Sequence, residues 1–234
     1  MKNPIFPSIH KLKAILIMAG TLLAGIGLSH AAPADDMARL YALPPAGSVY
    51  VRVVNATNRP LDASLAGQVN LHLPPNGASM VSGYYPVDGN ALLSLSADQQ
   101  TLSADPAPPG TSFISLLVLE GSEGLHTRTI ADKGVAADGL KAELAVYNLI
   151  PGCTAQIALE SGQSVFTDID FESRNVRAIN PVSTGLVGRC DAQKSSVFML
   201  QNLKSGDHFS LFLIGNSHAP ILIGALNQIM PTSQ

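Results

Sequence analysis

The chain has 234 residues, of which 46% are hydrophobic, 13% charged and 5% aromatic, and its 14 basic residues face 17 acidic ones. This length and apolar content allow one large or two small domains with hydrophobic cores and exclude intrinsic disorder. Nucleic acid is excluded as a partner because no basic cluster could neutralise a row of phosphates.

The N-terminal segment has the pattern of a signal peptide. Basic residues precede an uncharged apolar run over 14–28, and the small residues that follow suit cleavage after Ala31. A membrane anchor is the alternative, but the run is too short to cross about 30 Å of hydrocarbon at 1.5 Å per residue. We therefore predict that residues 1–31 are removed and that the processed chain does not span a membrane.

The two cysteines, Cys153 and Cys190, are predicted to pair. An exported chain meets an oxidising compartment, and closing this loop would stabilise the fold by roughly 4 kcal/mol in the chain-entropy model. A reactive or metal-binding thiol is the alternative. It is disfavoured because the sequence has no Cys-x-x-Cys motif and no histidine near either cysteine at zinc spacing.

An extended lead-in over 32–47 is followed by period-two alternation. Val49, Val51 and Val53 alternate with other residue types, as do apolar residues over 69–73 and 155–159, which predicts half-buried strands. The segments 113–119 and 209–214 are apolar on both faces, which is typical of central strands. Turn residues at short intervals complete the pattern and predict an all-β fold of two tandem antiparallel β-sandwich domains.

A short internal repeat supports the division into two domains. Residues 51–56 align with 144–149, and each copy contains an asparagine at the strand end that can bond the following turn. Residues 139–149 are also the one helix candidate, although their β-branched and aromatic content favours a strand. We place an N-terminal sandwich over 48–131, a linker over 132–139 and a C-terminal sandwich over 140–234.

Catalytic and metal-binding patterns are weak. The chain has no Gly-x-Ser-x-Gly elbow, and its nearest grouping, over 206–210, is typical of a polar turn leading into a strand. Asp168 and Asp170 are predicted to share a strand face with Phe166. They could act as paired carboxylates in acid-base chemistry or calcium binding, or they could simply belong to an ordinary solvated face. The histidines are isolated in sequence. We predict no catalytic residue, no metal site and no cofactor.

Tyrosines are the remaining candidates for binding, since the chain has no tryptophan. Tyr84 and Tyr85 are adjacent in a β segment, so their side chains point opposite ways and one of them must face solvent or a partner. A packed loop aromatic is the alternative. Tyr84 and Tyr85 are both candidate contacts for a partner protein or a glycan.

The lead-in and first strand together carry a family resemblance. Leu40-Tyr41, Pro45-Ala46-Gly47-Ser48 and the strand Val51-Arg52-Val53-Val54-Asn55-Ala56 resemble the start of mature proteins of the alginate O-acetylation accessory (AlgF) family, including relatives in cellulose-acetylation systems. The resemblance covers residues 40–56 and supplies no catalytic residue. Within it, Tyr41 and Arg52 are further candidate contacts.

The resemblance implies a β-sandwich protein of the periplasm that takes part in exopolysaccharide O-acetylation in biofilms. Its expected partners are a periplasmic acetyltransferase, a membrane-bound O-acyltransferase subunit and the polysaccharide itself, alginate or cellulose. We expect a non-catalytic adaptor that holds these partners at a productive distance. The alternatives are a subunit that carries acetyl groups on Ser or Thr and a weak glycan-binding module.

Overall fold

A computed structural model describes residues 47–89, 94–97, 100–104, 110–132 and 139–231, all within one compact unit. The predicted leader, Tyr41 and most of the predicted linker lie outside the described residues. Among the residues described, no helix has the length and hydropathy needed to cross a membrane.

The first half of the described chain contains eight strands and one short 3-10 turn, Ala78–Met80. The strands are β1 (Ser48–Asn55), β2 (Leu61–Leu65), β3 (Val69–Leu73), β4 (Tyr85–Asp88), β5 (Ser94–Ala97), β6 (Gln100–Ser103), β7 (Phe113–Gly121) and β8 (Gly124–Asp132). The second half contains nine: β9 (Ala142–Asn148), β10 (Ala155–Leu159), β11 (Ser164–Ile169), β12 (Arg174–Ile179), β13 (Thr184–Cys190), β14 (Gln193–Lys194), β15 (Phe198–Leu200), β16 (His208–Asn216) and β17 (Ala219–Leu226). The helix candidate at 139–149 is therefore strand β9, as its β-branched and aromatic residues favour.

The strands form four sheets, which confirms the all-β sandwich prediction. The first half supplies an outer sheet, β3-β2-β5-β6, and an inner sheet, β4-β1-β7-β8. The second half supplies an inner sheet, β12-β9-β16-β17, and an outer sheet, β11-β10-β13-β14, with β15 also paired to β13. As predicted from their two apolar faces, β7 and β16 are central strands.

Strand pairing is antiparallel except at the centre of each inner sheet. There β1 pairs with β7, and β9 pairs with β16, in parallel. Parallel neighbours need a crossover connection, and in each half the chain makes it by passing through the outer sheet before it returns. The two halves thus repeat one topology.

Three apolar layers separate the four sheets. One lies inside the first sandwich and includes Val51 and Leu116; a second lies inside the second sandwich and includes Leu144 and Leu211. The third lies between the two inner sheets and includes Phe212. Both faces of each inner sheet are therefore covered. The expectation that β1 is half-buried is wrong, because its second face packs on the other sandwich.

The asparagines of the repeat have matching roles. The amide of Asn55 donates to the carbonyl of Leu73, and its Oδ1 accepts from the backbone nitrogen of Thr57 at 3.0 Å. The amide of Asn148 donates to the carbonyl of Ile169, and its Oδ1 accepts from the backbone nitrogen of Ile150 at 3.1 Å. Each asparagine ties the end of a central strand to the turn that follows, as the repeat predicts.

The second sandwich contains two local features that bear on the sequence predictions. Cys153 and Cys190 form a disulfide within its core, next to the pairing of β10 with β13. In β11, Asp168 has a positive φ of 55° and the register with β10 shifts. Phe166 is buried while Asp168 is exposed, so the predicted shared face is wrong: the bulge breaks the alternation on which it rested.

Candidate functional site

A buried arginine lies between the two inner sheets. Arg52, on β1, is 1% exposed and points towards the second sandwich. Its Nε donates to Ser115 Oγ at 2.6 Å, its Nη1 to Asn227 Oδ1 at 2.7 Å and its Nη2 to Ser210 Oγ at 3.1 Å. One side chain therefore hydrogen-bonds to both sandwiches.

Asp132, the last residue of β8, balances this charge. Its Oδ2 lies 3.6 Å from Arg52 Nη2 and accepts hydrogen bonds from Tyr84 and Ser115, both at 2.7 Å. Its Oδ1 accepts from the hydroxyl of Tyr147 at 2.5 Å. We call these seven residues the Arg52 cluster: Arg52, Tyr84, Ser115, Asp132, Tyr147, Ser210 and Asn227.

The protonation states in the cluster follow from burial and charge. Burial raises the pKa of Tyr84 and of Tyr147, and the neighbouring Asp132 adds to both effects. Each hydroxyl therefore stays protonated and donates a hydrogen bond to the carboxylate of Asp132. For Arg52, burial acts to lower the pKa, but Tyr84, Asp132 and Tyr147 outweigh it and the pKa is raised. The cluster therefore holds a charged guanidinium with satisfied donors.

The cluster reflects the internal repeat. In the parallel pairings, Arg52 lies opposite Ser115, and the equivalent Ala145 lies opposite Ser210. Each serine accepts a hydrogen bond from Arg52 and donates one onward, Ser115 to Asp132 and Ser210 to Asn227. Arg52 thus donates hydrogen bonds to the corresponding serine of each copy of the repeat.

A chain of polar contacts continues from Tyr147 into the second sandwich. Arg174 Nε donates to the hydroxyl of Tyr147 at 3.0 Å, and its Nη2 donates to Glu143 Oε1 at 3.2 Å. His208 Nδ1 lies 3.5 Å from the same carboxylate. Burial raises the pKa of Glu143, against the opposing effect of Arg174, and burial lowers the pKa of His208.

The segment after β17 also joins the two sandwiches. The backbone nitrogen of Tyr84 donates to the carbonyl of Gln228, and the nitrogen of Met230 donates to the carbonyl of Tyr84, both at 2.8 Å. Gly83 makes this approach possible, because a Cβ there would lie 2.4 Å from Cγ of Met230. A further ion pair, between Arg128 and Glu172, joins β8 to the turn before β12.

The predicted contact residues occupy different places from those expected. Arg52 and Tyr84 are buried, at 1% and 3% exposure, so neither offers a surface to a partner or a glycan. Tyr85 is partly buried and packs against the first core, while Tyr41 lies outside the described residues. The alternation over 49–53 predicts a half-buried strand and gives no sign that a second sheet covers the face on which Arg52 lies.

A groove opens beside the Arg52 cluster, at the junction of the sandwiches. It has a volume of about 580 Å³ and is lined by β15 and the loop after it, by β17 and the segment after it, and by residues 78–83. Its apolar lining includes Phe198, Leu203 and the exposed Met199. We call it the junction groove. Sequence reasoning missed it because its walls come from segments more than 100 residues apart.

A shallower depression, of about 440 Å³, lies on the exposed face of the first outer sheet. There His72 Nδ1 lies 2.6 Å from Asp62 Oδ1, directly across the β2–β3 ladder. Ser64 and Asn70 form the next cross-strand pair, and Ser96 faces Ser64 from β5. A carboxylate, an imidazole and hydroxyls, distant from one another in sequence, thus share one face.

No protein-family model and no curated protein matches the sequence. Among solved structures, the chain is similar to the C-terminal domain of AlgF from P. aeruginosa, with 25% identity over 38% of this chain and 99% of that domain, and a TM-score of 0.34. It is also similar to a family CBM26 module of Amy13K from Eubacterium rectale, solved in complex with maltoheptaose. That match has 9% identity over 78% of this chain and 98% of that module, and a TM-score of 0.25.

Proposed function

We propose that this chain is a periplasmic accessory protein for the O-acetylation of an exopolysaccharide, which docks acetyltransferase subunits at a fixed separation. The resemblance of residues 40–56 to the AlgF family supports the biological setting. The disulfide between Cys153 and Cys190 is consistent with an oxidising compartment.

The observation that carries the proposal is the bridging of the two sandwiches by Arg52. This residue lies in the strand on which the family resemblance depends, and it contacts Ser115 in one sandwich and Ser210 in the other. Buried, hydrogen-bonded charge between two sheets opposes sliding or separation, because either movement would leave the charge unpaired. A protein whose sandwiches are joined in this way holds its two outer sheets at a fixed separation and orientation, which an adaptor requires.

Deletion of the gene tests this function directly. We expect the polymer to be made at its normal level while its acetyl esters are lost, and we expect the wild-type gene to restore them. Polymer yield and ester content are measured separately on the same cultures. Unchanged acetylation in the deletion strain would exclude the proposed function.

A second candidate function is supported by the depression on the outer sheet. Asp62 orients the imidazole of His72, and Ser64 is diagonal to His72 on the same ladder, where Cα atoms lie about 7–8 Å apart. In this scheme Ser64 Oγ attacks the acyl carbonyl of a donor ester and its proton passes to His72 Nε2. The acyl C–O bond of the donor then breaks, and the leaving oxygen takes the proton from His72 and departs as the alcohol. The product would be an acetyl ester on Ser64, which makes the chain an acetyl carrier.

Mass spectrometry distinguishes the carrier from the adaptor. The purified protein is incubated with p-nitrophenyl acetate, and the carrier scheme predicts a gain of one acetyl group on Ser64. Ser64→Ala should abolish this gain and His72→Gln should slow it, whereas Ser96→Ala, on the same face, should retain it. No gain, or an equal gain in Ser64→Ala, would exclude the carrier scheme and leave the adaptor.

A further inference from the structure

The junction groove combines exposed amide side chains with apolar ones. Its volume of about 580 Å³ lies within the range of ligand sites in proteins. Three exposed amide side chains line it: Gln201 and Asn202 after β15, and Gln228 after β17. No side-chain hydrogen bond joins any of them to another described residue, so their donors and acceptors are available to a ligand.

The remaining lining provides apolar contact at the same place. Phe198 and the exposed Met199 come from β15, and Leu203 and Phe209 lie deeper. A sugar ring has apolar C–H faces and a rim of hydroxyls, so it requires apolar side chains beside amides. A purely apolar groove would lack partners for the hydroxyls, and a purely polar one would lack a surface for the ring.

Charge decides between the two polymer classes that the proposed function leaves open. Asp207 is the charged residue that lines the groove, and no described lysine or arginine lines it. A polyuronate such as alginate carries a carboxylate on every sugar, and it would place those charges beside Asp207 with no cation among the lining residues to balance them. A neutral glucan places only hydroxyls there.

We infer that the junction groove binds a neutral polysaccharide chain. This inference rests on the proposed function and extends it by naming the class of polymer. The groove draws its walls from both sandwiches, since residues 78–83 come from the first and β15 and β17 from the second. Binding there would place the polymer at a defined position relative to any enzyme docked on an outer sheet.

Titration calorimetry with two oligomers of equal length tests the inference. The full processed protein is titrated with cellohexaose and with hexamannuronate, up to millimolar concentration. We expect cellohexaose to bind and hexamannuronate not to bind. Combining Gln201→Ala, Asn202→Ala and Gln228→Ala should weaken cellohexaose binding by about tenfold or more. The matched control Gln193→Ala, an exposed glutamine on β14, should leave it unchanged.

A charge-changing variant tests whether the lack of a cation is what excludes the polyuronate. Gln228→Lys adds a cation to the groove and should allow hexamannuronate to bind without strengthening cellohexaose binding. Thermal unfolding of every variant confirms that the fold is intact.

Each remaining outcome contradicts one proposal in particular. Failure of cellohexaose to bind, or equal binding in the triple variant, would overturn the groove assignment even if gene deletion still abolishes acetylation. Tighter binding of hexamannuronate by the wild type would also overturn it. Cellohexaose binding together with normal acetylation in the deletion strain would retain the groove and exclude the acetylation role.

Discussion

At the scale of single residues, Arg52 is the most consequential side chain of the described structure. It is fully buried, it donates hydrogen bonds to three side chains, and it faces one buried carboxylate, Asp132. Forming such a pair gives little net stability, because both charges lose their hydration. Breaking it is costly, since the remaining partner stays buried without a counter-charge.

We therefore predict that Arg52→Met lowers the free energy of unfolding by about 3–5 kcal/mol, measured by denaturant titration. Arg52→Met combined with Asp132→Asn should lose less than the sum of the two single changes, because no unpaired charge remains. Arg59→Met serves as the control, since Arg59 faces Glu120 in an exposed pair and should cost no more than about 1 kcal/mol. Strict additivity would show that Arg52 and Asp132 do not depend on each other.

A second residue-scale prediction concerns pH. Burial lowers the pKa of His208 below its ordinary 6.5, so the unfolded chain binds this proton more readily than the folded protein. The contribution of His208 to stability is thus present above the unfolded pKa and is lost as pH falls towards the folded one. The raised pKa of Glu143 has the opposite effect on stability. Its contribution is present below the ordinary pKa of 4.5 and is lost as the pH rises through the folded-state pKa.

We expect the free energy of unfolding to fall as the pH decreases through the ordinary histidine pKa of 6.5, and His208→Gln to flatten this dependence. Denaturant titrations at several pH values measure both slopes. His218→Gln, at an exposed position outside the polar chain, should keep the wild-type slope. An unchanged slope in His208→Gln would contradict the assignment.

At the scale of elements, the sequence already indicates the strand–turn units. Alternation and turn residues predict the strands, and the apolar segments 113–119 and 209–214 become the central strands β7 and β16. These predictions succeed because a strand shows its local environment in a period of two. The prediction that Asp168 shares a face with Phe166 fails for the same reason. Asp168 has a positive φ, and the bulge there interrupts the period of two.

The paired asparagines give a prediction at this scale. Asn55→Ala and Asn148→Ala should each lower the free energy of unfolding by about 1–3 kcal/mol, because buried carbonyl groups lose their donors. The exposed Asn70→Ala, on β3, should change it by no more than about 0.5 kcal/mol. Denaturant titration of the three variants measures this. A large loss in only one of the two buried variants would contradict their equivalence.

At the scale of the whole molecule, the contacts between the sandwiches are of the same kind as those within them. The layer around Phe212 is as fully buried as either sandwich core, and the Arg52 cluster and the segment after β17 add hydrogen bonds across it. Domains that share so extensive a buried layer are expected to lose their structure together.

We predict a single calorimetric unfolding transition whose calorimetric and van't Hoff enthalpies agree. Leu65→Ala, in the core of the first sandwich, should cost about 2–5 kcal/mol and shift the whole transition to lower temperature. Scanning calorimetry also shows the contrary result: two transitions, of which Leu65→Ala moves only one, would mean that the sandwiches unfold independently.

The sequence by itself determined the all-β class, the repeat with its two turn-binding asparagines and the pairing of the cysteines. Each of these depends on local alternation, local turn chemistry or the count of one residue type. Only the tertiary structure decided that Arg52 and Tyr84 are buried, that Asp132 is their partner and that a groove opens at the junction. These features depend on which sheet covers the second face of β1. Alternation shows that a strand has two faces, but it contains no information on what packs against each of them.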